Sequence, residues 1–175
     1  ASVEDIGIDL GSSNVIIAER GKGVVMNEPA VLAVNHDTRN IISIGLEAYK
    51  MIGREPGGIS VVRPLQKGTI QDFDMLSIML NYLVVRVSGK HFFNRPRALI
   101  SISATANEIE KRQLILGMLE SGVRRTQILE RPLAAALGAG IPVNEVTGRM
   151  VVDIGGATTD IAVISSGEIM ARSIL

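Results

Sequence analysis

The stretch Ile8-Asp9-Leu10-Gly11-Ser12-Ser13-Asn14, near the start of the chain, returns near its end as Val152-Asp153-Ile154-Gly155-Gly156-Ala157-Thr158. The likeness runs on past the turn, with Ile17-Ala18 set against Ile161-Ala162. Each copy reads as an apolar strand, an Asp at its end, a turn of glycine and small residues, and a second apolar strand. One Asp-x-Gly turn merely ends a strand, but two copies at opposite ends of one α/β unit read as a duplicated device. Small residues in a tight turn let successive backbone N–H groups line an anion. Asp9 and Asp153 stand where a carboxylate could hold the water shell of a Mg²⁺ ion. Two such turns facing one another would clamp a nucleotide polyphosphate from both sides. The P-loop pattern G-x-x-x-x-G-K-[ST] is absent, and no G-x-G-x-x-G follows a strand.

Outward from these turns, the first forty residues read as strands: Ile6 to Leu10, Val15 to Ala18, Val24 to Met26 and Val31 to Val34, with Ile41 to Ile44 closing a further hairpin. Leu46 to Ile52 reads as a short helix closed by Gly53, followed by a loop at Glu55-Pro56-Gly57-Gly58. Asp74 is the expected cap of a helix carrying Met75, Ile78, Met79, Tyr82 and Leu83 at three-four spacing. Ala98 to Ile102 reads as a buried strand. Asn107 with Glu110 fits a capping pair for a helix through about Leu119. Ile128-Leu129 suggests a short strand, and Pro132 opens an Ala-rich helix over Leu133 to Ala139. Strands return at Met150 to Ile154, Asp160 to Ile164 and Glu168 to Ile174.

Composition narrows the function classes. Among 175 residues, 18 Lys+Arg balance 18 Asp+Glu, which argues against nucleic acid as a partner because that needs a basic face. The lack of cysteine excludes disulfides and thiolate metal sites, and His36 and His91 are too few for a zinc enzyme. A 46% hydrophobic content and a mean hydropathy of +0.30 are high. Yet the most apolar stretch, Met75 to Val85, is broken by Ser77 and Asn81 and falls short of the ~20 residues of a membrane span. Ala1 to Asp5 run straight into a strand pattern, with no charged-then-apolar leader. The expectation is a cytosolic chain whose apolar excess shows as an extended hydrophobic surface near its C-terminus, through residues 161–164 and 169–175.

Further pieces lie in order along the chain: Asp5-Ile6-Gly7-Ile8-Asp9-Leu10-Gly11, Gly21-Lys22-Gly23, Asn27-Glu28-Pro29, Met51-Ile52-Gly53, Arg63-Pro64-Leu65, Pro132-Leu133-Ala134-Ala135-Ala136 and Met150 to Gly156. Together they resemble the actin and DnaK-type chaperone superfamily, and specifically its bacterial cell-shape branch, the MreB family. The resemblance implies an α/β, actin-like ATPase (ribonuclease H-like) fold, and the first half of it. A mixed-sheet large subdomain over 1–32 and 66–147 would be interrupted by a small subdomain over 33–65, with 148–175 opening a truncated second domain. It implies ATP and Mg as cofactors and assembly with itself into filaments that maintain cell shape. The filaments would lie at the inner face of the cell membrane, with related actin-like paralogues and wall-synthesis proteins as further partners.

By position, the resemblance places phosphate binding at Gly11, Ser12, Ser13, Asn14, Gly155, Gly156, Ala157 and Thr158. It places the magnesium shell at Asp9 and Asp153, and catalytic duty at Glu130 and Thr159. Asp72 falls in the segment returning from the small subdomain. The departures matter as much. The family's Glu directly before the Pro of its P-x-A-A-A helix is Arg131 here, with Glu130 one residue earlier, and an arginine cannot orient or deprotonate water as a carboxylate does. Ala157 replaces a third glycine, Ser12-Ser13 stand for Thr-Ala, and Ser103 replaces a strand-end proline. The resulting expectation is ATP binding with slow or absent hydrolysis, or a hydrolysis-deficient scaffold paralogue that co-assembles with an active filament. Phe92-Phe93, between Lys90 and Arg95, suit an anionic bilayer surface as a membrane loop, although one ring could instead pack inward.

Overall fold

A computed structural model describes residues 5–89, 95–103 and 105–175. The expected membrane loop at Phe92 and Phe93 lies outside the described residues. The chain builds thirteen strands and four helices among the described residues. A five-stranded mixed sheet has the order β10-β9-β1-β2-β3, formed by β1 (Ile6–Leu10), β2 (Asn14–Glu19), β3 (Gly23–Pro29), β9 (Arg97–Ile102) and β10 (Arg125–Glu130). β1, β2 and β3 run as an antiparallel meander, whereas β9 and β10 lie parallel beside β1. Parallel pairing demands a crossover, and helices α2 (Phe73–Ser88) and α3 (Glu108–Glu120) supply it.

Alternation in β1 buries Ile6, Ile8 and Leu10 and turns Gly7 and Asp9 to the other face. Val15 and Ile17 of β2 join them, and Met75, Leu76, Met79, Leu80, Leu83 and Val84 of α2 cover that face, with Leu114 and Met118 of α3 alongside. Gly117 brings α3 close to α2, since a methyl there would sit 2.9 Å from the Ser77 hydroxyl. A second sheet packs β4 (Leu32–Asn35) between β5 (Ile41–Ile44) and β6 (Ile59–Val62), its face closed by α1 (Leu46–Tyr49) through Ala48. β7 (Leu65–Gln66) and β8 (Thr69–Ile70) form a minimal hairpin. The last sheet is the meander β11 (Arg149–Ile154), β12 (Thr159–Ser165) and β13 (Glu168–Ile174). It packs on α4 (Arg131–Gly138), with Ala136, Val143, Val151 and Ile164 buried between them.

Four sequence expectations need correction. α2 is capped by Asp72, not Asp74. Asp72 holds the extended backbone a cap requires and accepts the Met75 N–H at 3.0 Å, leaving Asp74 inside the first turn. α1 ends at Tyr49 rather than Ile52; its start depends on Glu28, whose carboxylate accepts the Leu46 N–H at 2.8 Å from eighteen residues away. β10 is six residues long, because pairing with β9 extends it well beyond Ile128-Leu129. β6 and the β7–β8 hairpin had no counterpart in the reading. The Asn107–Glu110 capping box is present in both directions. The expected apolar C-terminal surface exists over residues 169–175, where Met170 and Leu175 are exposed, and extends to Met150, Val152 and Ile154 of β11; Ala162 and Ile164 of β12, expected in it, are buried instead.

Candidate phosphate-binding cleft

The duplicated motif folds as the same object twice. Between β1 and β2 the Gly11 N–H donates to the Asn14 carbonyl at 3.0 Å, and between β11 and β12 the Gly155 N–H donates to the Thr158 carbonyl at 2.8 Å. A methyl on Gly11 would meet the Asn14 oxygen at 2.8 Å, and one on Gly155 the Thr158 oxygen at 2.9 Å. Both turns therefore require a bare Cα at the same place, against backbone that cannot rotate away.

The two turns also meet. A side chain at Gly156 would collide with the Ser13 hydroxyl, so the second turn rests directly on the first. Their rims, Ser12, Ser13, Asn14, Gly156 and Ala157, line one side of a cleft of about 670 Å³. Tyr49, Arg63, Gln66 and Lys67 line the same cleft, so two cations share it with the two sets of small residues. The Ser12 hydroxyl accepts the Gly68 N–H at 3.0 Å, tying the first turn to the β7–β8 hairpin. Thr105 donates its hydroxyl to the Gly68 carbonyl at 3.3 Å and lies 3.0 Å from the Ser103 hydroxyl. Ser103 thus supports the tip of that hairpin. Gly68 has a φ of 74°, and a methyl there would press on Ser103 at 2.9 Å. Lys67, Gly68 and Thr105 carry no motif; the pairing of β7 with β8 brings the first two to the site, and Thr105 meets them from beyond β9.

Behind the first turn lies a charged cluster. Asp9 lies one residue before the end of β1 and Asp153 one residue before the end of β11, and Asp153 sits directly opposite Asp160 across the β11–β12 ladder. Arg131, at the start of α4, reaches over this cluster. It donates from Nη2 to the Leu10 carbonyl at 2.6 Å, while its Nε lies 3.4 Å from Asp9 Oδ1 and its Nη1 3.9 Å from Asp160 Oδ2. Asp160 is 1% exposed, and its Oδ1 has no hydrogen-bond partner. Burial raises the Asp160 carboxyl above its ordinary value of 3.8, Arg131 pulls it back, and Asp153 adds to the rise. A carboxyl raised in the folded state contributes stability fully below its unfolded value and loses that contribution as pH rises through the folded value. Asp160→Asn should therefore raise the thermal midpoint at pH 7. The gain should shrink as pH falls toward the ordinary carboxylate range, which a pH series of melting curves would read.

The cleft gathers Ser12, Ser13, Asn14, Gly156 and Ala157 but not the expected catalytic pair. Glu130 turns away and pairs with Arg172 of β13 at 3.2 Å. Thr159 exchanges backbone hydrogen bonds with Leu175 at 2.9 and 3.0 Å. Among the described residues, no three His, Cys, Asp or Glu side chains gather to hold a metal directly. The donor chemistry still fits a hydrated magnesium ion held through water, since Asp9 is half exposed despite its 3.4 Å ion pair with Arg131, and Asp153 is partly exposed.

The family model described as MreB/Mbl protein matches residues 3–175. The cell shape-determining protein Mbl of Bacillus cereus is 44% identical over 169 residues, covering 97% of this chain and 51% of that protein. The chain thus spans about half the length of the curated relatives it matches. The crystal structure of MreB5 of Spiroplasma citri bound to ADP superposes with a TM-score of 0.87 at 36% identity, covering 97% of this chain and 51% of that one. The same protein bound to AMPPNP gives 0.86. A MamK double helical filament, at 21% identity and a TM-score of 0.76 over 97% of this chain and 53% of that one, shares the actin-like fold.

Proposed function

This chain belongs to the MreB/Mbl family, and on that premise we propose that it binds ATP between its two glycine turns and serves a filament-forming, cell-shape cytoskeleton. The observation that carries the reading is the contact of the two turns, Ser13 against Gly156, with Arg63 and Lys67 lining the same cleft. Gly11 to Asn14 would take one side of the phosphate chain and Gly155 to Thr158 the other, with their N–H groups and hydroxyls as donors. A hydrated magnesium ion would be held by Asp9 and Asp153 through water and would supply charge neutralisation. In this reading 1–32 and 66–147 form a large subdomain, 33–65 a small one, and 148–175 begin a second domain. The filament would lie against the inner membrane face beside wall-synthesis partners.

Hydrolysis is proposed to be slow or absent. A side chain that activates water must accept its proton, and the residue over the Asp9 cluster is a guanidinium. Glu130 is committed to Arg172. That arrangement also supports the second reading, a scaffold paralogue that co-assembles with an active filament. Phosphate release by the natural full-length polypeptide should stay near background under conditions where ATP is bound. Family-like turnover, unchanged by Arg131→Glu, would contradict the proposal.

A further inference from the structure

Arg131 is fixed rather than free to swing. Its side chain is 12% exposed, its Nη2 is hydrogen-bonded to the backbone of the residue preceding Gly11, and it is the cation facing buried Asp160. Removing it would leave a buried carboxylate, whose Oδ1 already lacks a hydrogen-bond partner, without the guanidinium that faces its Oδ2, which is costly. A guanidinium is charged at every working pH and holds carboxylates in a directional fork. An acidic side chain at this position would add a further negative charge to Asp9, Asp153 and Asp160, next to where an anionic polyphosphate must settle. Arginine there reverses that contribution, at a point one residue from the first turn.

We propose that Arg131 is a resident cation behind the first turn, offsetting one negative charge of the Asp9–Asp160 pair permanently, so that nucleotide binding by this protein depends only weakly on a divalent metal. The inference rests on the reading of the cleft as a nucleotide site and deepens it. Magnesium can still join the phosphates, but part of the negative charge it would otherwise face at Asp9 is already offset by the chain itself. The same residue therefore removes the water-activating carboxylate and supplies the compensating charge.

The test is the affinity of the natural full-length polypeptide for a fluorescent ATP analogue, measured by anisotropy in magnesium and again in excess EDTA. Wild type should change by less than about threefold, while Arg131→Gln should weaken by about tenfold or more in EDTA, the size expected for a lost charge-assisted contact, and recover in magnesium. Arg131→Lys, which keeps the charge, should behave like wild type. A wild-type protein that loses about tenfold or more in EDTA would overturn the inference, and that arm decides even if the glutamine variant does not fold. Equal metal dependence in wild type and Arg131→Gln would overturn it too. Binding in neither condition by folded wild type would instead overturn the reading of the cleft as a nucleotide site.

Discussion

Gly11→Ala and Gly155→Ala should each weaken ATP binding by the same large factor. In both turns the new methyl would lie within 2.9 Å of a backbone carbonyl oxygen that closes the turn, Asn14 in one and Thr158 in the other. Neither oxygen can move without breaking the N–H···O bond that shapes the loop. Local strain of this kind costs about 1–3 kcal/mol, equivalent to roughly five- to more than a hundredfold in affinity if relief comes by opening the turn. Gly7→Ala is the matched control, because nothing lies within 4 Å of a methyl at that position of the same strand. Titration of a labelled ATP analogue into the three folded variants reads the effect. Equal affinities in Gly11→Ala, Gly155→Ala and Gly7→Ala would remove the turns from the binding site.

The second large effect concerns the platform under those turns. Leu83 of α2 is fully buried in the main core, among the side chains that close over Ile6, Ile8 and Leu10. Leu83→Ala removes those contacts and leaves a cavity that a close-packed helix–sheet layer fills only in part, for a loss of about 2–5 kcal/mol. Leu116→Ala, at a residue of α3 that is 58% exposed, should cost far less. Urea denaturation of both variants makes the comparison. Similar midpoints would mean that α2 is not the main cover of the β1–β2 face. Because β1 carries Asp9 and opens directly into Gly11, loosening this layer should also loosen the first turn.

The strand–turn–strand copies were legible because each combines alternating apolar residues with a glycine turn, a signal contained within a few residues. The Asn107–Glu110 box was legible for the same local reason. What escaped depends on distant partners. Ile59–Val62 becomes a strand through its ladder to Leu32–Asn35, and Leu65–Gln66 through two pairs with Thr69–Ile70. Asp72 and Asp74 both fit a cap, and only the extended backbone at Asp72 decides between them. In the site, Arg131 stood out as a departure from the family pattern, but its contacts to Asp9 and Asp160 arise when α4, β1 and β12 come together. The diversion of Glu130 to Arg172 likewise needs β13 in place. Lys67, Gly68 and Thr105 lie in segments with no periodicity to mark them.

Amide hydrogen exchange of the natural full-length polypeptide, with and without ATP, tests the central claim most directly. Two turns that clamp one phosphate chain should gain protection together, at residues 11–14 and at residues 155–158, at the same ATP concentration. Protection confined to one turn, or absent from both while ATP is bound, would contradict it.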